Sequence, residues 1–153
     1  TSAGQAVMLI SLAFFLPAIA VIDYENKIIP NCLLMRLAVT GILGYIIFFL
    51  TERENFLYRV SGGCLTGLGL FAVLLLVALL SKGLGGGDVK LFGLIGCMSG
   101  YGISISVLFW GLMCSMFAAV ILLIKKKKGK KDTLPFGPFI LAGYLISVAA
   151  LYL

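Results

Sequence analysis

The sequence predicts an all-α, polytopic integral membrane protein. It reads as a single domain, residues 1–153, of six transmembrane helices with both termini on the extracytoplasmic side. Three observations carry that reading. The chain is 61% hydrophobic and only 12% charged, with a mean hydropathy of +1.15, whereas about a quarter of a soluble domain is charged. Its apolar residues come in blocks of about twenty, the helical length that crosses a ~30 Å hydrocarbon core. Laid alternately through a membrane, those blocks put nearly all Lys and Arg on one side.

The blocks fall at residues 3–22, 32–50, 57–80, 89–100, 102–124 and 134–153. The first has no preceding Lys or Arg and no small-residue cleavage pattern after it, so it reads as a first span and not as a secretory signal. Pro30 favours an extended residue before it and suits the start of the second span. The second and third spans are joined by the charged turn Thr51-Glu52-Arg53-Glu54-Asn55. Gly62, Gly63, Gly67 and Gly69 in the third read as small residues that let helices approach closely. Val89 to Gly100 is only about 18 Å of helix, followed by a Tyr101-Gly102 hinge, and is expected to be a short crossing aided by tilt or thinning.

Orientation follows from the cations. With the N-terminus outside, the cytoplasmic side holds Lys27, Arg36, Lys82, Lys90, Lys125, Lys126, Lys127, Lys128, Lys130 and Lys131; the other side holds Arg53 and Arg59. That bias has the sense the positive-inside rule requires. The lysine run at 125–131 reads as topogenic, in contact with anionic lipid, and not as a nucleic-acid surface.

Two of the six acidic residues, Asp23 and Asp88, stand at the ends of apolar blocks, where an ionisable group is costly and functional by default. Two spans separate them, so both face the cytoplasmic side. Carboxyl groups that share one proton can hydrolyse an amide without a covalent intermediate: one takes a proton from water, the other polarises the carbonyl. Asp23 follows a helix C-terminus and Asp88 precedes a helix, so the helix dipole favours Asp88 as the ionised base. Competing readings make Asp88 a helix N-cap, Asp23 a first loop residue, or the pair proton or cation ligands of a small transporter.

Asp23-x5-Ile29-Pro30-Asn31, then Gly85-x-Gly87-Asp88-x-Lys90, resembles the type IV prepilin peptidase family, and Leu134-Pro135-Phe136-Gly137-Pro138-Phe139 is similar to a third segment of it. The likeness runs over essentially the whole chain. It implies a metal-independent aspartic endopeptidase of the bacterial inner membrane, without cofactor, that removes the basic leader of prepilins or pseudopilins at the cytoplasmic face. Asp23 and Asp88 map onto the catalytic pair. Glu25, Pro30, Asn31, Gly85, Gly87, Lys90, Phe136, Gly137 and Pro138 are expected to shape the site or meet substrate, Glu25 by attracting the leader and the glycines by admitting its backbone. The implied partners are a prepilin with a hydrophobic N-terminal helix and the lipid bilayer.

Longer family members also carry paired Cys-x-x-Cys motifs and methylate the new N-terminus. Cys32, Cys64, Cys97 and Cys114 have no zinc spacing and read as small packing residues, so methyl transfer is not expected. The compact length resembles the short peptidases of Tad (Flp) pili.

Overall fold

The computed structural model describes residues 2–81, 85–124 and 135–152. Lys82, the lysine run at 125–131 and Leu134 lie outside them. The described chain is helical throughout: α1 (Ala3–Asn26), α2 (Asn31–Thr51), a 3-10 turn (Arg53–Asn55), α3 (Phe56–Ser81), α4 (Gly86–Ile124) and α5 (Gly137–Tyr152). The first four α-helices are long and apolar enough to cross a membrane, and α5 is shorter but equally apolar.

Two helix ends differ from expectation in ways that matter for function. α1 does not stop at residue 22 but continues through Asn26. Its carbonyls go on finding partners until Lys27, which adopts a left-handed conformation (φ 55°) and donates its N–H to the Asp23 carbonyl at 2.8 Å, a common way to close a helix. Asp23 is therefore a residue of the last helical turn and not the first of a loop. Asp88 is likewise not an N-cap. Its N–H and that of Val89 both turn back to the Gly85 carbonyl, so Gly85 caps α4 and Asp88 sits inside the first turn. Pro30, as expected, caps the start of α2 through its carbonyl.

α4 is broken at Gly100, whose φ of 76° and ψ of 179° are non-helical, just before the expected Tyr101-Gly102 hinge. Only glycine adopts that backbone without strain. Interhelical register shows that the chain reverses there. The first arm runs beside α2 in the same sense: Lys90 meets Asn31 and Met98 meets Gly41. The second arm runs against α5: Gly111 lies by Phe139, Val107 by Gly143, and Ser106 bonds Ser147 at 2.9 Å. Inside the reversal, the Ser104 hydroxyl reaches Ser99 at 2.9 Å and the Gly100 carbonyl at 2.5 Å, satisfying polar groups that lipid cannot.

With α4 counted as two arms, six helical segments among the described residues alternate in direction. The ends of α1, α3 and the second arm, and the starts of α2, the first arm and α5, gather at one end of the bundle. The buried core joins Leu12, Leu16 and Ile19 of α1 to Leu37 of α2, Phe92 and Ile95 of α4, and Ile140 and Tyr144 of α5. The Tyr144 hydroxyl donates to the Leu9 carbonyl at 2.6 Å. α3 stands at the periphery, held by glycine contacts: a side chain on Gly67 would collide with the Gly93 carbonyl, and one on Gly96 with Gly67 itself. Gly62 and Gly69 have nothing within 4 Å, so the expected packing role holds for Gly63 and Gly67 but not for these two. Cys32 and Cys64 are exposed, which corrects their reading as packing residues; Cys97 and Cys114 are half-buried.

Candidate active site

Asp23 is 5% exposed, a carboxylate buried where α1 meets α5. Its partner comes from the start of α5. The Phe136 carbonyl caps that helix by accepting from Phe139 and Ile140, which leaves the Gly137 N–H outside the helical ladder, as the first N–H groups of any helix are. That N–H donates to Asp23 Oδ2 at 2.7 Å. The approach needs glycine: a β-carbon on Gly137 would lie 2.9 Å from Asp23 Cβ and 3.2 Å from Ala20 Cα. Pro138, next in line, has no N–H to leave unpaired and suits the first turn.

Asp88 enters from the first turn of α4. It is half-buried, and its Oδ1 is sequestered with no hydrogen-bond partner among the described residues. The Asp23 carboxylate lies within electrostatic reach of it. A buried oxygen without a donor, within electrostatic reach of a second carboxylate, is a costly arrangement unless something binds there. The dipole argument for distinguishing the two acids does not survive the geometry. Asp23 ends its own helix but also faces the start of α5, so each carboxylate lies at a helix N-terminus.

The other motif residues assemble around this pair. Gly87 packs on the turn between α1 and α2, where an added β-carbon would stand 2.9 Å from Ile29 Cβ, so its smallness serves the protein's own close approach. Lys90 Nζ donates to Asn31 Oδ1 at 3.2 Å, tying the second motif to the first. The Phe136 ring lies 6.1 Å from that of Phe92, tying the third to the second. Gly85 and Glu25 are exposed. Glu25 follows Asp23 by two residues, about 200° around the helix, and is not brought to the pair.

The donor to Asp23, the Ile29 contact and the Phe92 packing were absent from the sequence reading. The first had a signal in Pro135-x-Gly137-Pro138, which marks a helix start whose free N–H groups need an acceptor. The other two are apolar contacts between distant segments. Among the described residues no group of three or more His, Cys, Asp or Glu is placed to hold a metal ion.

Relatives are similar over nearly the whole chain. A prepilin leader peptidase/N-methyltransferase of Pseudomonas putida is 26% identical over 145 residues, covering 92% of this chain and 49% of the relative. One from Pseudomonas aeruginosa is 25% identical over 144 residues, with 92% and 49% covered. One from Bacillus subtilis is 28% identical over 147 residues, with 93% and 54% covered. The chain thus spans about half the length of the curated relatives it matches. No solved structure gives a significant match. The model of the type IV leader peptidase family matches residues 10–124, a stretch that holds both aspartates, the α1–α2 turn and both arms of α4, and the chain belongs to that family.

Proposed function

We propose that this protein is an aspartic endopeptidase of the bacterial inner membrane that cuts the basic leader from prepilins or pseudopilins at the cytoplasmic face. The observation that carries the reading is the meeting of Asp23 and Asp88, from helices far apart in sequence, at one end of an apolar bundle. One carboxylate takes a proton from water while the other, protonated, polarises the scissile carbonyl and returns a proton to the leaving amine. The Gly137 N–H holds Asp23 in place through that exchange.

Sidedness is supported by charge. Lys27, Arg36 and Lys90 lie at the site end of the bundle, and Arg53 and Arg59 at the far end, in agreement with the positive-inside rule and six crossings. In this reading the six alternating segments all cross, and both termini lie outside. The apolar surface of the bundle faces lipid, and the substrate's hydrophobic helix would share that lipid. The test is coexpression with small proteins of the same genome that carry a basic leader before a hydrophobic helix. Shortening of one of them by wild-type protein, and not by Asp23→Asn or Asp88→Asn, is the expected result. Shortening that persists in either variant would overturn the assignment.

A further inference from the structure

The end of the bundle remote from the carboxylates holds a charge that the peptidase reading does not use. Arg59 stands near the start of α3. Its Nη2 is sequestered with no hydrogen-bond partner among the described residues. A guanidinium is always charged and carries five N–H donors, so a buried nitrogen without an acceptor is costly unless something binds there. The dipole of α3 adds to that cost, since a cation is disfavoured at a helix start. Glu52 and Glu54 precede Arg59 in the connecting turn, yet neither supplies an acceptor to Nη2. Arg53, the other cation at this end, lies over the Phe49 ring at 5.1 Å.

Arg59 lines a cavity of about 370 Å³ between the first turns of α3 and the reversal of α4. Tyr58, Leu65, Gly100 and Tyr101 share its wall, and no carboxylate lines it among the described residues. That wall suits an anion. Gly100 turns the chain, so the second arm starts at the cavity and adds the positive end of its dipole to the Arg59 charge. The phenols of Tyr58 and Tyr101 are further donors. The same two rings mark the depth: they are 83% and 72% exposed at one end of an apolar bundle, as tyrosines stand at the level of lipid headgroups. Leu65, 75% exposed, lies about 9 Å further along α3 than Arg59, where an acyl chain would run. The guanidinium fork matches a pair of phosphate oxygens. We infer that this cavity binds a phosphate group, supplied by a phospholipid of the leaflet remote from the carboxylate pair, with Arg59 as its ion partner.

The experiment melts the whole chain, stripped of lipid in a neutral detergent, against three additives. They are dioleoyl-phosphatidylglycerol, dioleoylglycerol (the same chains without phosphate) and inorganic phosphate. Phosphatidylglycerol alone is expected to raise the wild-type melting temperature, and to do so saturably. Half-saturation should need roughly tenfold more lipid in Arg59→Gln, the loss expected when charge-assisted hydrogen bonds are removed. It should be unchanged in Arg53→Gln. Arg59→Lys, which keeps the charge but not the fork, should fall between wild type and Arg59→Gln, and it carries the test if Arg59→Gln gives no cooperative melt. The inference is overturned if dioleoylglycerol stabilises as well as phosphatidylglycerol does. It is also overturned if the Arg59 variants saturate as the wild type does, or if Arg53→Gln weakens the response equally. Stabilisation by inorganic phosphate that matches the lipid and disappears in Arg59→Gln would put a free anion in the cavity and overturn the assignment to lipid. None of these outcomes touches the peptidase reading.

Discussion

The Gly137 N–H holds Asp23 Oδ2 at 2.7 Å across 114 positions of sequence. The bond fastens the start of the last helix to the acid that ends the first, and it exists because residue 137 lacks a side chain. Gly137→Ala should therefore misplace Asp23. A β-carbon 2.9 Å from Asp23 Cβ forces the helices apart, and overpacking of this kind costs about 1–3 kcal/mol. Prepilin cleavage is expected to fall at least tenfold with a lower melting temperature in detergent. Gly62→Ala, which meets nothing within 4 Å, should keep full cleavage and melt no lower, because alanine is the better helix former by about 1 kcal/mol. Equal behaviour of the two variants would separate Gly137 from the site.

Much of this arrangement was legible from hydrophobic patterning, and the missed parts share a physical cause. Block boundaries located every helix to within a few residues because lipid demands continuous apolar length. They misjudged the end of α1 because Tyr24, Glu25 and Asn26 are polar or amphipathic, yet hydrogen bonding carries the helix to the left-handed Lys27. Gly62 and Gly63 look alike in sequence, but one residue turns a helix face by about 100°, and only Gly63 meets α4. The motifs identified which segments converge. They could not show that Gly137 would donate to Asp23, since that bond is a property of two helices in register.

Asp23→Asn and Asp88→Asn should each abolish cleavage, by about a thousandfold or more where general acid–base action supplies 10²–10⁴ in rate, while membrane insertion and melting stay near wild type. The amide keeps size and removes the proton exchange. Cleavage within tenfold of wild type in either variant would mean that the pair does not act as a dyad.

Sidedness has its own check. In a background without the four native cysteines, Glu25→Cys and Glu54→Cys lie exposed at opposite ends of the bundle. A membrane-impermeant maleimide added to whole cells should label position 54 only. Position 25 should react once the cells are opened. Labelling of position 25 from outside would reverse the orientation of the site.

The Lys90–Asn31 bond joins two motifs at the exposed edge of the site, where a charge-assisted hydrogen bond contributes modestly. Lys90→Met and Asn31→Ala should each slow cleavage a few-fold. The double variant should be little worse than either single change, with a coupling of about 0.5–1 kcal/mol in a double-mutant cycle. Fully additive losses would show that the two side chains act separately, each on substrate.

Gly87 distinguishes two reasons for a glycine beside a carboxylate. If the residue is small to admit substrate backbone, any side chain there blocks cleavage whatever surrounds it. The geometry gives the other reason: an added β-carbon would press on Ile29 Cβ at 2.9 Å, so the crowding is internal. Gly87→Val should then lower both the cleavage rate and the melting temperature, because it lifts the first turn of α4, and Asp88 with it, off the α1–α2 turn. Shortening the neighbour should restore part of both, so Gly87→Ala combined with Ile29→Ala is expected to cleave better than Gly87→Ala alone. That gain comes despite the cavity cost of about 2–5 kcal/mol that an isoleucine-to-alanine change carries by itself. Rates and melting curves of the four proteins in the Gly87→Ala, Ile29→Ala cycle decide the matter. A Gly87→Ala defect in cleavage that Ile29→Ala leaves untouched, with melting unchanged, would return the glycine to the substrate path.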